Sequence, residues 1–148
     1  MKKYLTAVFI LCLTCAAAAG CSGRNAAPAI KADVDLTLLS STMVYAEVYN
    51  MTTASPEDYF GKTVRMSGPY YASYYETTDQ YYHYVVIEDA TACCAQGLEF
   101  IWEGEHAYPD DYPEEAAMIE VSGTFGSYDE LGRTYYYLSV DDLTILKK

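Results

Sequence analysis

Ile119-Glu120-Val121-Ser122-Gly123-Thr124-Phe125 is the stretch on which the reading of this chain turns. Ile119, Val121 and Phe125 fall on one face and Glu120, Ser122 and Thr124 on the other, the period-two pattern of a half-buried strand. Gly123 falls on the apolar face, where a missing Cβ admits a second backbone at close range. A matching segment lies upstream: Gly61-Lys62-Thr63-Val64-Arg65-Met66-Ser67-Gly68, with Val64 and Met66 alternating against polar neighbours. Between the two, Leu98, Phe100 and Trp102 alternate with Glu99, Ile101 and Glu103. Outward from these anchors the punctuation predicts a long strand over 62–75 bent at Gly68, and a turn at Thr77-Thr78-Asp79. A strand over 80–88 follows, then one around 98–102, and a loop with a short helix over 108–117. After the strand at 119–125, Asp129-Glu130-Leu131-Gly132 turns the chain into a last strand over 133–140, which 141–146 extend or follow.

N-terminal to these strands, residues 36–53 carry Leu39, Met43, Ala46 and Val48 at helical spacings, with Ser41 or Thr42 placed to cap a helix ending near Asn50. Ser55-Pro56-Glu57-Asp58 combines a capping serine, a proline at the first helical position and acids in the first turn, so one further helical turn is expected before Gly61. The resulting expectation is a mostly β chain: a helical segment at 36–56, then a five-stranded domain at 57–148.

Five strands, a kink at glycine in the first and a long connection between the third and fourth resemble the OB-fold, a five-stranded, partly open Greek-key barrel. The two "apolar-x-apolar-x-Gly" runs carry that resemblance over residues 57–146. It implies a small barrel with a ligand-accepting sheet face.

The first residues read as an address. Lys2 and Lys3 precede an apolar run from Tyr4 to Ala19. The run is shorter than the roughly 20 residues a membrane-spanning helix needs and suits the core of a secretory signal peptide. Ala18-Ala19-Gly20-Cys21 closes it and resembles the lipobox of bacterial lipoproteins, with Ala18 standing where that box usually has Leu. The resemblance implies cleavage after residue 20 and lipidation of Cys21, and hence an extracytoplasmic domain held to a bilayer by its acyl chains. Ordinary signal cleavage with Cys21 as a bystander is the other reading. Residues 21–35 then form a tether: 22–33 are small, polar and without hydrophobic periodicity.

The whole chain has 148 residues, 9 Lys+Arg against 21 Asp+Glu and a formal net charge of −12. Removing residues 1–20 takes away two lysines and no acids, so the mature chain is more acidic still. Such a surface repels phosphate backbones and argues against a nucleic-acid partner. The hydrophobic share, 51%, is too high for an acidic disordered tail.

Cys93-Cys94 is the most unusual pair. With Cys12 and Cys15 in the signal and Cys21 acylated, these two remain. Exported cysteines usually pair, but neighbouring Cα atoms lie about 3.8 Å apart, short of the roughly 4.4–6.8 Å of ordinary bridges. Three readings stay open: reduced packed thiols, a strained redox-active vicinal disulfide, or a soft-metal site for zinc or copper completed by His83 and His106. The stretch from Val85 to Cys94 also resembles an uncharacterised group of bacterial permease-associated proteins that place a Cys-Cys pair just after a strand. That likeness implies an OB-like domain and a thiol site, not a reaction.

Tyrosine accounts for 17 residues, ten of them in three strands expected to neighbour one another. Most would serve as cross-strand pairs. Outward rings, with Tyr71, Tyr75, Tyr82, Tyr84 and Tyr136 as the candidates, would form a stacking platform for a planar ligand. The doublets Asp110-Asp111, Glu114-Glu115 and Asp141-Asp142 read as a solvated acidic face. No catalytic signature of the nucleophile-elbow, P-loop, dinucleotide or zincin kind occurs. The sequence therefore points to a non-catalytic binding module without a required cofactor, and a thiol or metal protein built on Cys93 and Cys94 is its rival.

Overall fold

The computed structural model describes residues 31–88, 91 and 94–147. Cys21 and Cys93, and the leader and lipidation expected at 1–21, lie outside the described residues.

Five long strands follow a short one. β1 is Val34–Asp35, β2 Thr63–Tyr75, β3 Gln80–Glu88, β4 Ala95–Trp102, β5 Met118–Glu130 and β6 Arg133–Ile145. The strand β2 serves two of the other long strands. Its first half, Thr63 to Pro69, runs antiparallel to β5 with Met66 opposite Val121. Its second half, Tyr70 to Tyr75, runs antiparallel to β3 with Tyr71 opposite Tyr84. The change falls at Gly68-Pro69, where proline has no backbone donor to offer the ladder. From β3 the pairing passes to β4 antiparallel, from β4 to β6 parallel with Phe100 opposite Leu138, and from β6 back to β5 antiparallel. The hydrogen bonds thus close a ring of five strands within a six-stranded mixed sheet.

Two glycines make the closure possible. A Cβ on Gly68 would run into the Val86 carbonyl oxygen, and one on Gly123 into that of Ser139. The close approach expected at Gly123 is therefore observed, with the register of β5 and β6 shifting between Ser122 and Gly123. Alternate residues of each strand fill the ring: Val64 and Met66, Val85 and Ile87, Leu98 and Phe100, Val121 and Phe125, Leu138 and Val140 are all buried. Each such side chain contributes roughly 1.5–3 kcal/mol of burial.

The helix α1 spans Ser41–Tyr49 and continues as a wider turn over Asn50–Ala54. Val48 and Met51 from this segment are fully buried and join the same core. Ser40 occupies the N-cap position without a side-chain hydrogen bond. A short 3-10 turn at Pro56–Asp58 replaces the expected helical turn, with Pro56 at its start but no capping bond from Ser55.

Two further details differ from the sequence expectation. Residues 34–35, placed in the tether, pair in parallel with Val64 and Arg65. Arg65 fixes this strand by bridging Asp35 at 3.3 Å and Glu120 at 2.8 Å. The connection from β4 to β5 contains turns and no helix. Local bonds take the place of helical ones there: Asp111 accepts from the Ala107 backbone at 2.7 Å, a competition typical of Asp in turns.

Candidate functional site

The outward positions of β3, β4, β5 and β6 carry Tyr82 and Tyr84, Glu99, Tyr128 and Glu130, and Tyr135. The β2–β3 hairpin turns through Asp79 in a left-handed conformation (φ 55°), and the β5–β6 hairpin through Leu131 and Gly132 (φ 50° and 76°). Left-handed backbone at both central residues matches the twist of the flanking strands and favours a tight two-residue connection. The two hairpins are joined where Tyr82 Oη donates to Glu130 Oε2 at 2.7 Å, while Thr78 Oγ1 lies 2.9 Å from the same phenol.

Between and beside the hairpins lie two adjoining cavities of about 390 and 300 Å³. Tyr82, Glu99, Tyr128 and Glu130 line both. Glu99 is the anomaly. It occupies an outward strand position yet is only 7% exposed, covered by Tyr128, whose hydroxyl lies 3.0 and 2.9 Å from its two carboxylate oxygens. One phenol proton cannot fully satisfy two carboxylate oxygens. Burial pushes the Glu99 carboxyl up to about 7; the Tyr128 hydrogen bond opposes that shift and the Glu130 charge adds to it. Burial likewise raises the Tyr84 phenol to about 12, with Glu99 adding to the effect. The Tyr128 phenol is also held protonated, by burial first and then by its bond to Glu99.

Of the rings singled out in the sequence, Tyr75, Tyr82 and Tyr84 line the smaller cavity. Tyr71 is exposed on the same face of β2 but does not line either cavity. Tyr136 corrects the expectation. It shares the inward parity of Leu138 and Val140 and stacks on Phe125 at 5.9 Å with an 8° interplanar angle. Its neighbour Tyr135 faces the cleft instead. Sequence reasoning missed Glu99, Tyr128, Glu130 and Arg133 as well. The outward parity of Glu99 was visible, but its burial depends on a tyrosine 29 positions away.

Of the proposed metal set, Cys93 lies outside the described residues, and His83, Cys94 and His106 do not form a ligand group among those described. His83 Nδ1 lies 2.8 Å from the Tyr70 hydroxyl, and its ring stacks on Tyr112 at 3.9 Å. Burial lowers its pKa to about 4, so the ring is neutral where it meets the Tyr70 phenol. His106 stacks on Trp102 at 3.8 Å, with Nε2 3.1 Å from the Glu103 carbonyl. Cys94 is exposed just before β4, whereas His83 pairs with Phe100, five residues beyond Ala95, a run of about 17 Å along a strand. Among the described residues no group of three or more His, Cys, Asp or Glu side chains is disposed to hold a metal ion.

No protein-family model matches this chain, and no curated protein matches it.

Proposed function

We propose that this protein is a non-catalytic binding module, an OB-like barrel carried on the outer side of a bacterial membrane by a lipidated Cys21, with a small ligand taken into the cleft over Glu99. The strand order β2-β3-β4-β6-β5 supports the OB-like reading: counting the five long strands from one, it runs 1-2-3-5-4 and returns to the first. In OB-folds the loops joining the first two and the last two strands flank the ligand face, and the cleft here lies beside those two hairpins. Its cavities fall at or near the lower end of the roughly 300–1,000 Å³ range of small-molecule sites. The observation that carries the proposal is Glu99, a carboxylate 7% exposed that forms a wall of both cavities. Burying such a group is costly unless it is paired, and a cleft opens beside it.

The anchor rests on Lys2-Lys3, the apolar run and Ala18-Ala19-Gly20-Cys21. No helix among the described residues is long and apolar enough to cross a membrane.

Two measurements test the proposal. Amide NMR of labelled protein, titrated with a small-molecule library, should place ligand-induced shifts on Tyr82, Glu99 and Tyr128. Shifts confined to other surfaces, or none at all, overturn the cleft assignment. Mass spectrometry of protein made in a bacterial host should find a diacylated or triacylated Cys21 as the first residue, and Cys21→Ser should release the protein from membranes. A freely secreted, unmodified chain overturns the anchor.

A further inference from the structure

We infer that the ligand of this cleft is an organic ammonium ion, seated between the Glu99 and Glu130 carboxylates and walled by the faces of the surrounding tyrosines. The inference rests on the cleft reading above and names its ligand class. Four observations carry it.

Glu99 is held beside the cavity with one phenol proton shared between its two oxygens, which leaves acceptor capacity for a donor arriving from the cleft. Glu130 presents a second carboxylate on the same wall, in contact with Tyr82. Tyrosine covers much of the remainder: Tyr75, Tyr82, Tyr84 and Tyr135 line the smaller cavity, and Tyr128 stacks against Tyr135 at 5.6 Å and 22°. Aromatic faces next to a buried carboxylate are the chemistry that recognises alkylammonium groups, because the ring quadrupole and the anion attract the same charge. Finally, the formal charge of −12 favours cations and repels anions over the whole surface.

Alternatives meet the geometry less well. A hard divalent cation such as calcium takes about 6–8 oxygen ligands, whereas Glu99 and Glu130 are the carboxylates that line these cavities. An anion would face two carboxylates, and Arg133 alone contributes a basic side chain to the two cavity linings. Arg65 is already engaged by Asp35 and Glu120, and Lys62 lies over the ring of Tyr59.

The test uses the full-length chain in a non-ionic detergent, with tyrosine fluorescence and calorimetry as readouts. Choline and cadaverine serve as the ammonium probes, and 3,3-dimethyl-1-butanol as a neutral molecule shaped like choline. At least one ammonium probe should bind saturably, and the neutral analogue should bind about tenfold more weakly or not at all. Glu99→Gln should weaken the ammonium probe by about tenfold or more while leaving far-UV circular dichroism unchanged. Should that variant misfold, Glu130→Gln at the more open wall gives the same reading with a smaller loss. Equal binding of charged and neutral probes overturns the inference, as does binding indifferent to both glutamates. If both ammonium probes are silent while another library compound shifts Tyr82 and Tyr128, the ligand class falls and the cleft stands. If nothing shifts those residues, both fall.

Discussion

Tyr128 Oη lies 3.0 and 2.9 Å from the two carboxylate oxygens of Glu99, so one hydroxyl of β5 caps an acid of β4 that is only 7% exposed. The chain thereby keeps a carboxyl group out of water beside a cleft that opens to solvent. The cost of that arrangement makes it measurable.

The Glu99 carboxyl is raised from an ordinary 4.5 to about 7 in the folded state, with burial as the first cause. Between these values the folded chain binds more protons at this site than the unfolded chain, so its contribution to stability falls as pH rises through that window. Below about 4.5 and above about 7 it is constant. Replacing Glu99 with Gln removes the dependence. Urea unfolding of both proteins should show the difference in stability shifting in favour of Glu99→Gln by about 1–3 kcal/mol between pH 4.5 and 7.5. Parallel pH profiles would contradict the burial of this acid.

His83 acts in the opposite sense. Burial lowers its pKa from 6.5 to about 4, so the unfolded state takes up the proton first and stability is lost as pH falls from about 6.5 toward 4. Nitrogen-15 NMR of the imidazole should find His83 neutral at pH 5.5, with its Nδ1 shift reporting a bond to Tyr70. A ring that titrates near 6.5 would refute the enclosure described for it.

The ring of strands closes at two glycines. Gly68→Ala and Gly123→Ala each drive a methyl group into a backbone carbonyl, of Val86 and Ser139 respectively. Either substitution should cost about 2–4 kcal/mol or prevent folding. Gly61 has a φ of +75° but nothing within 4 Å of the added carbon, so Gly61→Ala should cost only about 1 kcal/mol. Denaturant midpoints in the order Gly61→Ala above the other two confirm the assignment. Equal losses would deny the close crossing.

Tyr136 and Tyr135 face opposite ways. Truncating Tyr136 to Ala removes a ring stacked on Phe125 and should destabilise the protein by about 2–4 kcal/mol. Tyr135→Ala should leave most of the stability intact and weaken whatever occupies the cleft. Thermal unfolding of the two variants checks this directly, and a larger loss from Tyr135→Ala would reverse the facing of β6.

What the sequence made legible follows from periodicity. The strands around 98–102 and 119–125 were readable because apolar residues recur every second position, and those over 62–75, 80–88 and 133–140 because turn-forming clusters bound them. The hairpin turns were readable because glycine and aspartate mark left-handed backbone. Tyr136 was misassigned because three consecutive tyrosines show no alternation of their own; their facing has to be counted back from Leu138. Glu99 was expected in water because an acid at an outward position ordinarily is, and only the tertiary approach of Tyr128 covers it. The segment 108–117 suggested a helix through its acids, yet Tyr108 and Tyr112 order it by packing on His83. Val34–Asp35 was too short for any period to register.

That two-residue strand has a mechanical consequence. It lies parallel to the beginning of β2, Asp33 accepts from the Thr63 amide at 3.0 Å, and the Arg65 guanidinium rivets Asp35 to Glu120. Tension arriving from the N-terminal side would load these bonds together, in shear, instead of peeling them apart one by one. The load would pass straight into β2 and β5, two of the three 13-residue strands of the molecule, so the folded body is reinforced where the chain enters it.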